Sequence, residues 1–412
     1  MNKFITTSYP KDKIKVLFLE NISEKAVQYF KLQGYTDVKK VAGALSEEEL
    51  IKVIKDVHIL GIRSKTFISK KVLDHAKKLQ AIGCFCIGTN QVDLKACKQK
   101  GVAVFNAPYS NTRSVAELVI GASILLIRKI LDKNKAAHEG IWNKDAKGSF
   151  ELRGKTMGLI GYGNIGTQTS IMAEAMGMKV KFYDIETKLP LGNAQPVKTL
   201  KELVSSADII SLHVPETNQT KNLISKEVIK QFKQGAILIN YARGEVVDLV
   251  ALTQALKDKQ IAGAAIDVFP IEPEKNGDKF ETPLQGLSNV LLTPHVGGST
   301  EEAQENIGED VSIKLYQYLE RGVSNGSHTI PSISLPPVDN AHRILHIHNN
   351  VPGVLSAINT VMSKNKINIV GQYLKTNEEI GYVVLDVDSK LSKKAIELLR
   401  DVKQTIRVRM LY

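Results

Sequence analysis

A chain of 412 residues is too long for one ordinary domain, so we expect two or three. Charged residues make up 24% and hydrophobic residues 43% of it, which is typical of a globular protein with buried cores, and no apolar run approaches the ~18 residues of a membrane span. The net charge of +12 comes from lysines spread along the chain rather than from an arginine-rich run, so we expect a solvated lysine-rich surface and neither a nucleic-acid nor a membrane partner.

Two features of the sequence bear on cellular location and on metal binding. The first 15 residues are polar and lack the apolar core of a signal peptide, which predicts a cytoplasmic protein. The three cysteines, Cys84, Cys86 and Cys97, are too few for a zinc quartet. We therefore expect reduced thiols packed near a strand end and no metal.

The first quarter of the chain alternates short apolar runs with helical patterns. Four strands are predicted, at 15–20, 57–62, 79–84 and 101–105. Such alternation predicts a parallel sheet, whose ligands bind at the carboxyl ends of the strands. Arg63, Ser64, Ile87 and Gly88 lie at two of those ends.

Two long helices are predicted further on. The first runs from Ser110 to about Lys133, and its middle is apolar on nearly every side, which predicts burial between domains or subunits. The second begins at Ser299 and ends near Gly322. We expect it to return to the first domain and so to make that domain discontinuous.

A glycine-rich turn organises the middle of the chain. Gly161, Gly163 and Gly166 follow an apolar strand at 156–160 and open a helix, in the G-x-G-x-x-G spacing of dinucleotide-binding folds. In such a turn the glycines permit a tight bend, the approach of a pyrophosphate and close helix packing. Asp184 ends the next strand, where an acid holds the adenosine ribose. The agreement of strand, glycines, helix and acid predicts a dinucleotide site.

Three polar side chains lie at carboxyl ends in this second sheet: Arg243, Glu272 and His295. They follow strands predicted at 236–240, 262–266 and 290–292. An arginine can bind a carboxylate through its planar fork, and a histidine beside a carboxylate can exchange a proton near neutral pH. The set would suit oxidation of a 2-hydroxy acid by a nicotinamide, although position alone leaves open that these are ordinary solvated loop residues.

The last part of the chain has a different pattern. Residues 324–340 are rich in Ser, Pro and Gly and predict a linker. Beyond them the order of predicted elements is β-α-β-β-α-β, which indicates a small ferredoxin-like domain.

Several motifs together resemble the D-isomer-specific 2-hydroxyacid dehydrogenases. They are GYGNIG at 161–166, YARG at 241–244, AIDVFP at 265–270 and LTPHVGG at 292–298. Longer segments, at 81–93, 105–117 and 346–355, are similar to the members of that family that act on 3-phosphoglycerate and carry a C-terminal ACT domain. The resemblance covers nearly the whole chain. It implies an α/β protein with two Rossmann-like or flavodoxin-like parallel-sheet domains and a small ferredoxin-like ACT domain.

The resemblance also implies domain limits. The substrate-binding domain is expected at 1–109 and 300–330, the NAD-binding Rossmann domain at 110–299 and the ACT regulatory domain at 341–412.

Roles at matching positions follow from the same resemblance. Arg243 is expected to bind the substrate carboxylate, His295 to act as acid and base, and Glu272 to pair with His295. The residues expected to line the NAD site are Gly161, Gly163, Asn164, Ile165, Gly166, Asp184, Tyr241, Ala242, Arg243, Asp267, His295, Val296, Gly297 and Gly298. Those expected to contact substrate are Arg63, Ser64, Ile87, Gly88, Asn111 and, from a neighbouring subunit, Lys144.

The implied reaction is the oxidation of 3-phosphoglycerate with NAD in serine biosynthesis, with 2-oxoglutarate reduction as a side activity. The ACT domain implies L-serine as inhibitor, bound at a subunit interface by His348, Asn350 and Asn368, and a homotetramer joined through cofactor-domain and ACT-domain contacts. One position departs from the family's pattern: Ala42 stands where close members have a phosphate-directed lysine, for which Lys39 or Lys40 is a possible substitute.

Two alternatives remain at the level of sequence. One is a glyoxylate or hydroxypyruvate reductase, which usually lacks an ACT domain. The other is a non-catalytic NAD-sensing corepressor, a class that carries peptide grooves and long disordered tails.

Overall fold

The computed structural model of the chain describes residues 9–273, 277–338 and 341–411. The polar start of the chain and the outermost residues of the first and last expected domains lie outside these ranges. By compactness the chain divides into two units, one containing the described residues up to Ser110 and those from Gln304 onward, the other running from Asn111 to Ala303.

The first unit begins with a five-stranded parallel sheet of order β2-β1-β3-β4-β5. Its strands are β1 (Lys15–Phe18), β2 (Asp37–Lys40), β3 (Ile59–Ile62), β4 (Ala81–Cys84) and β5 (Ala103–Asn106). Helices α1 (Glu24–Leu32), α2 (Glu47–Val53), α3 (Lys70–His75) and α4 (Leu94–Lys100) connect them. Serine or aspartate caps open all four helices, and their side chains accept from backbone N–H groups of the first turn.

Strand β2 is an edge strand that the hydrophobic pattern does not predict. Its sequence is Asp-Val-Lys-Lys and no residue in it is fully buried, so the apolar signal is absent. Pairing with β1 alone is what makes it a strand.

The second unit contains a seven-stranded parallel sheet of order β12-β11-β10-β9-β6-β7-β8. Its strands are β6 (Thr156–Ile160), β7 (Lys179–Tyr183), β8 (Gln195–Pro196), β9 (Ile209–Leu212), β10 (Ala236–Asn240), β11 (Ile261–Ile266) and β12 (Val290–Leu292). Its helices are α5 (Thr112–Ile127), α6 (Ile130–His138), α7 (Asn164–Ala175), α8 (Leu200–Ser206), α9 (Lys226–Ile229) and α10 (Leu249–Lys257). The order reverses between β6 and β9, which is the switch point where doubly wound sheets bind ligands.

The expectation of one long helix from Ser110 to about Lys133 is wrong. Lys129 adopts a left-handed backbone with φ of 52°, and this residue separates α5 from α6. One face of α5, including Val119, Ala122 and Leu126, packs into the core of its own unit. The next long helix, α11 (Glu301–Arg321), matches the predicted span closely.

The segment after α11 is more ordered than a linker. The hydroxyl of Thr329 accepts from the N–H of Val104 (3.1 Å) and donates to the carbonyl of Val102 (2.7 Å). The N–H of His328 donates to the carbonyl of Val104 (2.8 Å). These residues therefore cover the exposed edge of β5, a solution to the problem of an unpaired sheet edge.

The rest of the first unit is the predicted β-α-β-β-α-β module. It consists of β13 (His342–Asn349), α12 (Val354–Lys364), β14 (Ile369–Thr376), β15 (Ile380–Val387), α13 (Ser392–Arg400) and β16 (Thr405–Leu411). The sheet is antiparallel with order β14-β15-β13-β16. Inside it, fully buried Arg343 forms a bidentate ion pair with Asp386, at 2.8 and 2.9 Å.

Helices long and apolar enough to cross a bilayer are absent from the described part of the chain. Within the same residues, no three His, Cys, Asp or Glu side chains cluster in a way that could hold a metal ion. Cys84 and Cys97 are buried and all three cysteines are free thiols.

Candidate active site

The glycine-rich turn has the shape that a pyrophosphate needs. Gly161 has φ of 93°, and a Cβ there would lie 2.5 Å from the carbonyl oxygen of His213. A Cβ on Gly166 would lie 2.2 Å from the carbonyl of Gly161, so both glycines are required by the fold itself. Gly163, in contrast, has open space where its Cβ would stand, and α7 begins after it without a side-chain cap. The first N–H groups of α7 are thus free to receive an anion that approaches over Gly163.

Asp184 fixes the other end of the expected dinucleotide site. Its carboxylate accepts from the N–H of Tyr162 (2.7 Å) and from the N–H of Glu186 (2.9 Å). These bonds orient the acid at the carboxyl end of β7, and its negative charge disfavours a 2′-phosphate. The residues at this edge therefore fit NAD.

Glu272 and His295 form a hydrogen-bonded pair, although 22 residues separate them in the chain. Glu272 Oε2 lies 2.8 Å from His295 Nδ1, and Glu272 Oε1 accepts from the N–H of Phe269 (3.1 Å). An ionised carboxylate can only accept, so Nδ1 carries the hydrogen and Nε2 of neutral His295 presents its lone pair. That is the tautomer a general base requires.

Glu272 and His295 each shift the pKa of the other. The hydrogen bond to Glu272 raises the pKa of His295 above its ordinary value, against the opposing effect of burial. Burial works to raise the pKa of Glu272, but the hydrogen bond and charge of His295 outweigh it and lower that pKa. The positive charge of Arg243 acts on both groups, lowering each pKa. Arg243 is therefore close enough to influence the charge of both members of the pair.

A buried aspartate holds the loop that carries His295. Asp267 is 1% exposed and accepts from the hydroxyl of Thr293 (2.6 Å) and the N–H groups of Val296 (2.8 Å) and Gly297 (2.8 Å). His295 itself has φ of 54°, an uncommon backbone for a residue with a side chain, and its N–H donates to the Asp267 carbonyl (2.8 Å). Asp267 was expected to line the NAD site, and in the structure both of its oxygens anchor this loop.

Asn240 holds the backbone turn that carries Arg243. The side chain of Asn240, at the end of β10, donates to the Arg243 carbonyl (3.0 Å) and accepts from the N–H of Ala242 (3.1 Å). The turn at 241–243 is thereby held at the same sheet edge as His295. Sequence reasoning missed Asn240, for which the only signal was a polar residue ending an apolar strand.

The remaining expected residues fall into separate groups. Asn111 belongs to the second unit, with its side-chain amide against Gly298, so the structure brings it to the His295 loop. Lys144 lies on an exposed segment without regular structure. Arg63, Ser64, Ile87 and Gly88 lie at the carboxyl ends of β3 and β4 in the first unit.

The three ACT-domain residues are not gathered in one copy of the chain. His348 pairs with Gly381 at one end of β15, whereas Asn368 precedes Ile369, which pairs with Val387 at the other end. Gly381 and Val387 are six positions apart along the strand, a span of about 20 Å. Asn350 is exposed near His348, and its side chain donates to the Asn377 carbonyl (2.7 Å). His348 is only 3% exposed.

Comparisons with known proteins agree with this geometry. Residues 120–297 match the family described as D-isomer specific 2-hydroxyacid dehydrogenase, NAD binding domain, and residues 344–407 match an AHAS small subunit-like ACT domain. A solved structure of D-lactate dehydrogenase from Aquifex aeolicus, complexed with NAD and lactic acid, is 28% identical with a TM-score of 0.66, covering 77% of this chain and 100% of that one.

Two relatives match along almost their whole length. The D-3-phosphoglycerate dehydrogenase of Escherichia coli (strain K12) is 52% identical over 407 residues, which is 98% of this chain and 99% of the relative. That of Dictyostelium discoideum is 49% identical over 407 residues, 99% of each.

The chain therefore belongs to the D-isomer-specific 2-hydroxyacid dehydrogenase family. It is an NAD-dependent oxidoreductase with a C-terminal ACT domain. Within that family it resembles the D-3-phosphoglycerate dehydrogenases over its full length.

Proposed function

We propose that the enzyme oxidises 3-phosphoglycerate to 3-phosphohydroxypyruvate with NAD, as the first step of L-serine biosynthesis. One observation carries the chemistry: the Glu272–His295 pair, closed at 2.8 Å, under the electrostatic influence of Arg243. The substrate is taken from the relatives of about half-identical sequence that bear the name of this activity.

Each residue of the pair has a definite part in that chemistry. Nε2 of His295 takes the proton of the C2 hydroxyl, and Glu272 stabilises the imidazolium that forms. Arg243 binds the substrate carboxylate and the developing carbonyl oxygen through its guanidinium fork. Bound NAD supplies the acceptor for the hydride that leaves C2. Run in reverse on 2-oxoglutarate, the same groups would produce 2-hydroxyglutarate as a side activity.

Recognition of the substrate is assigned to residues of the first unit, to Asn111 of the second unit and to a neighbouring subunit. Arg63, Ser64, Ile87, Gly88 and Asn111 contact the substrate in this proposal, and Lys144 of a second copy reaches the phosphate. Ala42 supplies no charge, and Lys40 already pairs with Glu24 at 3.5 Å, so exposed Lys39 on β2 is the better substitute. The domain limits proposed with these roles remain 1–109 with 300–330, 110–299 and 341–412.

Regulation by L-serine is the second part of the proposal. Because His348 and Asn350 lie far from Asn368 in one copy, a serine that touches all three would join ACT domains of two copies. Strands β14 and β16 are the outer strands of the four-stranded sheet, and a sheet edge is a place where such domains can pair. A homotetramer in the cytoplasm, held by ACT-domain and cofactor-domain contacts, follows from the same proposal.

The test is the formation of NADH, followed spectrophotometrically with purified full-length enzyme, NAD and 3-phosphoglycerate. Glyoxylate and hydroxypyruvate with NADH serve as competing substrates. Greater kcat/KM on either of those than on 3-phosphoglycerate would refute the proposed substrate.

A further inference from the structure

Glu20, two residues after the end of β1, has a buried carboxylate that accepts hydrogen bonds from three backbone N–H groups. Its Oε1 accepts from Arg63 (3.0 Å) and Thr66 (2.9 Å), and its Oε2 accepts from Lys65 (2.9 Å). The residue is 8% exposed. Acidic residues are almost never this buried without partners, and here the partners are all in one turn.

The backbone at Glu20 and Asn21 is strained, and its conformation allows further hydrogen bonds at this corner. Glu20 and Asn21 have φ of 58° and 51°, left-handed values that cost free energy in residues with a side chain. Their N–H groups donate to the carbonyls of Gly43 (3.0 Å) and Val41 (3.2 Å). The corner at Glu20 thus ties the loop at 41–43 to the turn at 63–66.

The same turn is held from its other side by Gln91, which is 7% exposed. The side-chain amide of Gln91 donates to the Arg63 carbonyl (2.6 Å) and to Cys86 Sγ (3.3 Å), and Cys86 Sγ donates to the Gly88 carbonyl (3.2 Å). Both backbone polar groups of Arg63 are therefore fixed. Among the described residues, no protein group pairs with the Arg63 guanidinium, so its five donors remain available to a ligand.

We propose that Glu20 is a positioning residue that presents Arg63 to the anionic end of the substrate, an inference that rests on the proposed substrate role of Arg63. A run of N–H groups in a turn is itself an anion-binding concavity. Glu20 occupies that concavity, so the substrate anion meets the Arg63 side chain instead of the turn backbone. Glutamine cannot replace it fully, because the amide nitrogen would face N–H donors.

The test compares Glu20→Gln with Glu48→Gln, which makes the same change of charge at an exposed position on α2. Glu20→Gln is expected to raise KM for 3-phosphoglycerate about tenfold, the scale of one hydrogen bond to a charged group, with kcat and the Kd for NADH within about twofold of wild type. Glu48→Gln should leave all three constants unchanged. A lower melting temperature with an unchanged KM would reduce Glu20 to a structural role and overturn the proposal.

Gln91→Met removes the hydrogen bond to the Arg63 carbonyl in the same turn, and it is expected to raise the KM for 3-phosphoglycerate in the same way. Amide hydrogen exchange adds a readout that needs no substrate. In Glu20→Gln the amides of Arg63, Lys65 and Thr66 should exchange faster, while those of α1 and β3 should not. Unchanged exchange in the turn would contradict the positioning role even if the enzyme acted on another substrate.

A double-mutant cycle with Arg63→Ala separates the two claims. If Glu20 acts through Arg63, Glu20→Gln adds little to the KM of the Arg63→Ala variant. Fully additive effects overturn the positioning role alone. A wild-type KM in Arg63→Ala removes the substrate role of Arg63, and the inference about Glu20 falls with it.

Discussion

At the scale of single residues, the proposed proton carrier is His295, whose tautomer is set by one carboxylate, that of Glu272. Glu272 is fixed by the Phe269 N–H, and His295 is fixed by the Asp267 carbonyl. Neither side chain has to move to make the pair. The arrangement therefore meets the geometric requirement for general acid–base catalysis.

Replacing His295 by asparagine should remove the proton carrier and keep a polar side chain of smaller size. We expect kcat to fall at least ~100-fold, the usual contribution of general acid–base catalysis, with the Kd for NADH nearly unchanged. Stopped-flow or steady-state rates and fluorescence titration with NADH measure the two quantities. His138→Asn, at the exposed end of α6, is the matched control and should behave as wild type.

Glu272→Gln tests the electrostatic part of the account through the pH profile. Because Glu272 raises the pKa of His295, the substitution should lower that pKa. Reduction of the keto acid needs the protonated imidazole, so its alkaline limb should move to lower pH. Oxidation of the hydroxy acid needs the neutral imidazole, so its acidic limb should also move to lower pH. A shift of either limb to higher pH would contradict the assignment.

At the scale of elements, the glycine-rich turn separates a requirement of the fold from a requirement of the ligand. Gly161→Ala should destabilise the free protein, because a left-handed backbone alone costs a side chain about 1–2 kcal/mol and the new Cβ would press on the His213 carbonyl. Gly163→Ala meets open space and should keep the wild-type melting temperature while weakening NADH binding. Calorimetry and NADH titration on both variants check the contrast. Equal melting temperatures in the two variants would show that the turn has room for a Cβ at Gly161.

We expect Asp184, at the end of β7, to govern the choice between NAD and NADP. Asp184→Ala removes the negative charge that opposes a 2′-phosphate, so the ratio of kcat/KM with NAD to that with NADP should fall. Steady-state rates with both cofactors measure it. Equal efficiency with the two cofactors in the wild-type enzyme would remove this role for Asp184.

Most of the strands and helices could be predicted from the sequence, because apolar runs mark buried strands and capping residues mark the starts of helices. Strands β2 and β8 escaped prediction because they are short, polar and at sheet edges, where pairing rather than burial defines them. The break at Lys129 escaped because a lysine gives no local signal for a left-handed backbone. The positions of Arg243, Glu272 and His295 at one sheet edge were predictable from parallel topology. Glu20 and Gln91 were not, since their importance comes from tertiary hydrogen bonds that leave no periodic pattern. Asn240 was not either, because its side chain bonds only within its own turn, where a polar residue is unremarkable.

At the scale of the whole molecule, we expect the ACT domain to carry regulation between copies of the chain. L-Serine, but not D-serine, should inhibit the wild-type enzyme, and Asn350→Ala or Asn368→Ala should relieve inhibition with uninhibited turnover nearly unchanged. The two asparagines lie at opposite ends of one sheet. Mixing the two variants therefore tests whether each serine site is formed by residues of two copies of the chain. Hybrid oligomers of Asn350→Ala and Asn368→Ala should regain part of the inhibition, since one interface site then has both asparagines. Indifference of the wild type to millimolar serine would end the regulatory proposal and leave the catalytic one standing.

We propose above all that His295, supported by Glu272, exchanges the proton of the C2 hydroxyl of 3-phosphoglycerate. The most direct measurement is the initial rate of NADH formation from 3-phosphoglycerate and NAD, made side by side for wild type and His295→Asn. The account predicts steady turnover by the wild type and a rate at least ~100-fold lower for the variant, with NADH still bound. Turnover of the variant near the wild-type rate, or no oxidation of 3-phosphoglycerate by the wild type, would contradict it.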